Sequence, residues 1–394
     1  MKDFVGHRVK RKRWRGAGRL ATALPILLFV ITEVVSSEIA AQENGTLQTK
    51  TAVENFPPKP GPAPARWLGL IGEYGPDTNI LYLLEKDGKL CVSFKRGQPE
   101  CLQEVSKNSF RFPVSSSRVG QRLIVTRDRR GRATKVAVDK AVYQRRQIGP
   151  EEGTMQLRVA PVRPVAELLK EALAAQPPKE SGEFLASDLV ELIKLDPTIK
   201  LDIRYATTNN LFGSVFYSEP RAFLQRPAAE ALVRINHRLR KIGYGLLVHD
   251  GYRPWYVTKV FWDATPQDKK LFVADPAQGS RHNRGAAVDL TLYDLKTGKA
   301  VEMVGTYDET TDRSYPDYRG GTSLQRWHRD LLRAMMEADG FTVYEAEWWH
   351  FDYNDWQKYP IGNELFEKLG SKVEIGVAEF QVGAERADTQ SCLR

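Results

Sequence analysis

Only three cysteines and six histidines occur among 394 residues, and no apolar run reaches the ~20 residues that a membrane-spanning helix needs. Three cysteines allow one bridge at most, so the chain is not a disulfide-stapled scaffold. None closely follows the N-terminal apolar run, which leaves no lipoprotein acceptor. A large charge excess is also missing from the body of the chain. Of the net +9, residues 1–41 contribute +5 through eight Lys/Arg set against Asp3, Glu33 and Glu38, so +4 remains for everything after them. The charge is therefore mainly a targeting feature, and no nucleic-acid partner is predicted. With 42% apolar residues the composition is neither disordered nor fibrous, and the length predicts about two domains of ~100–200 residues each.

What is present begins with a basic segment from Lys2 to Arg19, an apolar run from Leu20 to Val35 and a small-residue cleavage site at Ile39-Ala40-Ala41. Residues 1–41 read as a secretory signal peptide, which predicts an exported, periplasmic or extracytoplasmic protein. An uncleaved signal would anchor the chain in a membrane, a reading disfavoured by the short run and by Glu33 near its end. In an oxidising compartment Cys91 and Cys101 are placed to bridge a hairpin or to remain free, and the sequence leaves both open; Cys392 lies in a polar tail over 371–394.

Residues 42–66 are polar and proline-rich, a composition that predicts an extended tether. From 67 to 158 short β-branched runs such as NILYLLE, KLCVSF, QRLIVT and TKVAVD alternate with turn signals, including Asp87-Gly88 and Arg130-Gly131. They predict a small antiparallel β-domain, an open barrel or a sandwich. Its arginine-rich stretch, 118–146, reads first as a solvated strand face, with attraction to anionic wall polymer or lipid headgroups as the alternative. Residues 159–183, with Pro161, Pro164, Pro177 and Pro178 around VAELLKEALAA, predict a connection to a second domain over 184–370. There, Pro227 opens an amphipathic helix. A second helix runs from Leu324 to Ala338 behind a Thr322/Gln325 capping box and ends at Gly340. GLLVHD, AVDLTLY and FTVYEAEWWHFDY are strand-like. Helices and strands mix without a βαβ repeat, so the predicted class is α+β.

The histidines are not equivalent. His7 lies in the signal, while His237 and His328 sit in helices among charged neighbours and read as solvated or capping residues. His249 precedes Asp250 and is expected near whatever site GLLVHDGYRP serves. His282 sits on a loop in SRHNRGAAVDL, and Asp289 lies inside the strand that follows it. A carboxylate between apolar neighbours needs a partner, either a cation from Arg281 or Arg284 or a metal ion. EAEWWHFDY adds Glu347 and His350, which point to opposite faces of a regular strand, so a bulge or the strand's end must bring them together. His-x6-Asp with Glu-x-x-His offers two imidazoles and a carboxylate as ligands and leaves one carboxylate over as a general base. Three protein ligands leave an open position on a divalent ion, which lowers the pKa of a coordinated water toward about 7. Arg253, in DGYRP, suits an oxyanion; its plainer role is a salt bridge to Asp250.

Together SRHNRGAAVDLTLY, DGYRP, EAEWWHFDY and DIRYATTNNLFG resemble the D-alanyl-D-alanine dipeptidases of the vancomycin-resistance type, within the wider zinc D,D-peptidase and hedgehog-like family. The likeness spans Leu195 to Leu369 and excludes the β-rich part. It implies a hedgehog/DD-peptidase-like catalytic domain holding one Zn2+ on His282, Asp289 and His350, with Glu347 as catalytic base and Arg253 as the intermediate-stabilising arginine. It further implies that Ser280 holds a substrate carboxylate, Tyr205 lines the pocket and Asp308 meets an ammonium. Arg281 and Asn283 flank the histidine where that family tends to carry small or hydroxyl residues, which predicts a pocket for a different dipeptide. The implied substrate is a D,D-dipeptide or peptidoglycan-derived peptide; separately from the resemblance, the N-terminal region is expected to associate with the cell wall or a membrane surface. Competing readings are a zinc D,D-carboxypeptidase or endopeptidase on peptidoglycan stems, and a non-catalytic zinc-containing wall-binding protein.

Overall fold

A computed structural model of the chain describes residues 56–94, 97–148 and 159–369; the signal segment, the C-terminal tail and Cys392 lie outside the described residues. Nine short strands come first: β1 (Gly72–Tyr74), β2 (Leu81–Lys86), β3 (Lys89–Phe94), β4 (Glu100–Cys101), β5 (Gln103–Ser106), β6 (Ser109–Arg111), β7 (Arg122–Arg127), β8 (Ala133–Val138) and β9 (Ala141–Gln144). They form two antiparallel meanders, β1 to β4 and β5 to β9. Asp87 and Gly88 both take left-handed backbone angles between β2 and β3, the two-residue turn whose twist matches the flanking strands.

The two sheets share one core, with Tyr74, Leu83 and Val92 from the first meeting Phe110, Leu123 and Val136 from the second. Chain continuity from β4 to β5 joins them at one edge, and a Tyr74–Arg145 bridge joins them at the other. The expectation of an open barrel or a sandwich thus meets two antiparallel sheets over one core, tied at both edges. Cys91 and Cys101, opposite each other on β3 and β4, form a disulfide. The arginine-rich stretch is not wholly a solvated face. Arg145 donates to the carbonyl of Ile71 and the hydroxyl of Tyr74, and Arg146 pairs with Glu73 and Asp77.

The larger core belongs to the second half of the chain. Helix α1 (Val165–Ala174) lies within the expected connection, yet it buries Leu168 and Ala172 there. After β10 (Leu189–Glu191), β11 (Lys200–Leu201) and β12 (Phe223–Gln225) comes helix α2 (Arg226–Lys241), with Pro227 in its first turn. Its face of Ala228, Leu232, Ile235 and Leu239 is fully buried. Then follow β13 (Tyr244–Asp250), helix α3 (Trp255–Ala264), β14 (Ala287–Asp294), helix α4 (Ser323–Glu337), β15 (Phe341–Tyr344) and β16 (Glu347–Tyr353). The predicted capping box on α4 is formed by Thr322 and Gln325.

A five-stranded sheet, ordered β11-β13-β14-β16-β15, carries the site; only the β11–β13 pair is parallel. The architecture is therefore mixed helix and sheet with several antiparallel sheets, as the α+β reading requires. The described residues form one compact unit. The expected tether contributes to it: Phe56 packs edge-on against Trp327, whose indole donates to the Pro57 carbonyl, and Lys59 lies over the Tyr244 ring. A proline-rich segment has few backbone donors to satisfy, which lets it lie along a surface through such contacts. Among the described residues no helix is long and apolar enough to cross a membrane.

Replacing both Cys91 and Cys101 by serine is expected to lower unfolding stability by about 2–3 kcal/mol, the loop-closure entropy of a bridge this short. Urea titration of oxidised wild type against the double variant measures it, and unchanged midpoints would refute the estimate.

Candidate metal centre

Three strands bring the chemistry together by register. Asp289 in the middle of β14 faces His350 across β16 and Asp250 across β13. The β13–β14 register slips between Val248 and Asp250, which sets Asp250 against Asp289. On the other side, Val343 pairs with Phe351 but Tyr344 with Glu347, so β16 carries extra residues against β15. That irregularity is the bulge the Glu-x-x-His spacing demanded, and it puts the Glu347 carboxylate 3.9 Å from His350 Nδ1.

His282 reaches the same point from a 3-10 turn, Arg281–Arg284, which precedes β14. The Ser280 hydroxyl accepts from the His282 amide, the Asn283 side chain accepts from the Ser280 amide, and Gly285 closes the turn at φ 66°. The geometry then converges. His282 Nε2 lies 3.1 Å from His350 Nδ1 and 3.3 Å from Asp289 Oδ1, and His350 Nδ1 lies 3.0 Å from Asp289 Oδ1. All three side chains are buried.

The outer hydrogen bonds fix which ring nitrogens carry protons. His282 Nδ1 donates to the Gly251 carbonyl at 2.7 Å, which leaves its Nε2 a lone pair. His350 Nε2 faces Asp352 Oδ1 at 3.0 Å, which leaves its Nδ1 a lone pair when the ring is neutral. Two imidazole lone pairs and a carboxylate oxygen therefore point at one another. Either a proton on His350 Nδ1 or a cation between the three atoms resolves that. A tetrahedral ion with bonds of about 2.0–2.1 Å needs donor separations of about 3.3–3.4 Å, close to the observed triangle. The residues fit zinc, both by this spacing and by the borderline N/O donor set.

Electrostatics agree. Burial works against the charge on Asp289, but the facing His282 and His350 outweigh it and hold the carboxyl well below its usual range. Burial would depress His350, yet its hydrogen bonds to Asp289 and Asp352 push it up to about 10. Without a metal ion, the proton on His350 supplies the missing positive charge. The Glu347 carboxyl is raised, first by burial and next, against the pull of His350, by the Asp289 charge.

Around the triangle, Asp289 Oδ2 accepts from the Tyr307 hydroxyl at 3.0 Å and lies 3.7 Å from Arg253 Nη2. Arg253 is held by Asp250 at 2.8 and 2.9 Å and lies against the adjacent rings of Tyr205 and Phe261. The plain salt bridge is thus made without removing the guanidinium from the centre. The Tyr205 hydroxyl donates to Asp308, whose carboxyl is pushed up to about 8 by burial and by the charges of Asp289 and Glu347. Asp308 takes a left-handed φ of 58°.

Several expectations are corrected. Neither Arg281 nor Arg284 partners Asp289: Arg281 pairs with Asp352, and Arg284 bonds Glu180 and the Tyr359 carbonyl. Asn283 is fully buried and spends its amide on the Arg253 carbonyl and Thr258, so it tunes the turn and not a pocket. His328 is neither solvated nor a cap; it is buried against Tyr244 and the Glu302 carbonyl, and burial depresses its pKa. His237 is exposed as expected. His249 stacks on Tyr307 with ring centres 4.5 Å apart, one contact removed from Asp289. Ser280 sits on the His282 turn, where its oxygen is used as a cap.

Sequence reasoning missed Tyr307 and Asp352. Asp352 was within reach, because residues two apart on a strand share a face and His350-x-Asp352 has that spacing. Tyr307 lies in an irregular loop with no periodic signal.

A buried His/Asp/His triangle with an unligated glutamate beside it defines a metallopeptidase-type centre. A family model described as D-Ala-D-Ala dipeptidase matches residues 185–367. The chain is 32% identical to a D-alanyl-D-alanine dipeptidase of Escherichia coli over 180 residues, 46% of this chain and 92% of that protein. It is 34% identical to those of Enterococcus faecalis and Enterococcus faecium, with 41% and 43% of this chain and 89% and 91% of theirs covered. The chain belongs to the D-Ala-D-Ala dipeptidase family of peptidases, and the β-rich region before residue 185 lies outside the match.

Two outcomes test the centre by metal content alone. Alanine at His282, Asp289 or His350 is expected to abolish stoichiometric zinc, whereas Asp352→Asn weakens affinity about 10–100-fold through the lost outer hydrogen bond. Because zinc must expel the His350 proton, apparent affinity is expected to fall about tenfold per pH unit as pH drops below about 10. Competition titrations between pH 6 and 9 give that slope, and a flat profile would show that no proton is displaced.

Proposed function

We propose that the protein is an exported zinc D,D-dipeptidase that hydrolyses D-alanyl-D-alanine or a related dipeptide in cell-wall peptide metabolism. The observation that carries this reading is the convergence of His282, Asp289 and His350 with Glu347 beside them as a fourth, non-converging carboxylate. A structural ion needs no such base, which disfavours the non-catalytic reading.

Zinc bound by His282, Asp289 and His350 would supply Lewis acidity at the peptide carbonyl and lower the pKa of water in the site. Glu347, its carboxyl raised above the usual range by burial, takes the proton of the attacking water and passes it to the leaving amine. Arg253, fixed by Asp250 and by two aromatic faces, neutralises charge that develops on the carbonyl oxygen. Asp250 keeps the guanidinium oriented while the Tyr217 hydroxyl donates to its other oxygen. Asp308, beside Tyr205, is the carboxylate available to a substrate ammonium; it must ionise to bind one, and the ammonium itself favours that ionisation.

A free dipeptide carries both charged termini, so an ammonium-reading carboxylate favours it over a long stem, whose corresponding nitrogen is an uncharged amide. We infer a β-rich module over 67–158 and a catalytic domain over 184–370; the separate core of the first supports this division, and Leu168 and Ala172 of α1 pack into the core of the second.

Glu347→Gln is expected to lower kcat about 10²–10⁴-fold while zinc content stays at wild-type level. Steady-state assays on D-Ala-D-Ala and on a pentapeptide stem check both base and substrate; selective release of D-Ala from the stem would establish the carboxypeptidase reading instead.

A further inference from the structure

We propose that the β-module is a specificity device: Glu73, Tyr82 and Glu85 position the 303–322 loop, which carries Tyr307 and Asp308, and thereby set recognition of the substrate ammonium. This rests on the reading of Asp308 given above, and it concerns a region outside the family match.

The loop makes its far contacts on the β-module. The Tyr318 hydroxyl donates to Glu73 Oε1 at 2.9 Å, and its ring meets that of Tyr82 edge-on. The Tyr82 hydroxyl donates to Asp312 at 3.4 Å, and Arg319 donates to the Gly97 carbonyl. Where the loop enters α4, Glu85 accepts from the Ser323 amide at 2.7 Å, the Glu85 amide donates to the Gly321 carbonyl and Arg326 donates to the Glu85 carbonyl. Glu73 and Glu85 are only 3% and 2% exposed; Arg146 and the Gly88 amide each satisfy one oxygen from within the module, and the loop and the start of α4 supply the remaining partners.

The loop is also stiff inside, which lets a hold at Tyr318 reach Asp308. Glu309 accepts from the Thr306 amide and the Thr311 hydroxyl and pairs with Arg313. Asp308 keeps its left-handed angle within that frame, with Tyr205 on one side and Tyr307 tied to Asp289 on the other. Glu73 and Tyr318 touch neither substrate nor metal ligands; they are positioning residues.

The test uses the full-length zinc-loaded protein with Glu73→Ala, Glu73→Gln and Tyr318→Phe. Glu73→Ala is expected to raise KM for D-Ala-D-Ala about tenfold with kcat within about twofold, the loss of one charge-assisted contact felt through the loop. Glu73→Gln, which keeps an acceptor for Tyr318, restores most of that, and N-acetyl-D-Ala-D-Ala, which has no ammonium, shows no comparable KM change. Amide exchange over Tyr307–Ser314 is expected to quicken in Glu73→Ala and Tyr318→Phe. Unchanged KM and exchange, an equal KM rise for the acetylated dipeptide, or a joint loss of kcat and zinc would each overturn the proposal. If wild type fails to cleave D-Ala-D-Ala, the dipeptidase reading falls, and the exchange measurement alone decides whether the module holds the loop.

Discussion

Two imidazole lone pairs and one carboxylate oxygen are aimed at a common point from which water is largely excluded. That convergence cannot persist uncompensated, because like partial charges about 3 Å apart in a low dielectric repel strongly. Either a proton or a metal ion must sit there, and the rest of the site follows. The Gly251 carbonyl and Asp352 fix the two rings, Tyr307 and Arg253 occupy the second oxygen of Asp289, and Asp250 neutralises Arg253 in turn. Asp289 and Asp250 are thus answered by opposite charge, whereas Asp308 and Glu347 are not, and burial beside like charges raises both of their carboxyls.

The sheet performs the assembly with little loop involvement. Asp250, Asp289 and His350 are cross-strand neighbours on β13, β14 and β16, so ladder hydrogen bonds set their spacing. Two register slips do what regular pleating forbids: one sets Asp250 against Asp289, the other brings Glu347 to the face of His350. Only His282 arrives from outside the sheet, and its turn is correspondingly over-determined, by a cap from Ser280, a buried amide on Asn283 and a left-handed glycine.

This division explains what could be read in advance. The α4 capping box and the Asp87-Gly88 hairpin were legible because each depends on spacing within one turn; the metal triangle and the glutamate were legible as two short motifs whose joint meaning came from the family they resemble, and the need for a bulge at Glu347 followed from period-two alternation alone. Partnerships that cross the fold were not legible: Arg281 and Arg284 flank His282 in sequence, yet the arginine near Asp289 is Arg253, delivered from the end of β13. His328 looked polar by its neighbours in sequence, but a helix buries one face whatever the opposite face carries. The proline-rich segment was misread for the same reason, since composition predicts stiffness and says nothing of a tryptophan waiting to accept it.

If Asp308 reads the substrate ammonium as proposed, selectivity rests on the least regular part of the catalytic domain. Strands place the metal ligands, but Asp308 stands on a loop of short turns, at a backbone angle that costs a non-glycine residue free energy. Such a conformation survives only where its surroundings dictate it. Within the catalytic domain Glu309, Tyr205 and Tyr307 supply part of that constraint. The remainder comes from buried carboxylates on the β-module, and a catalytic domain of this kind without the module must hold the same loop by other contacts.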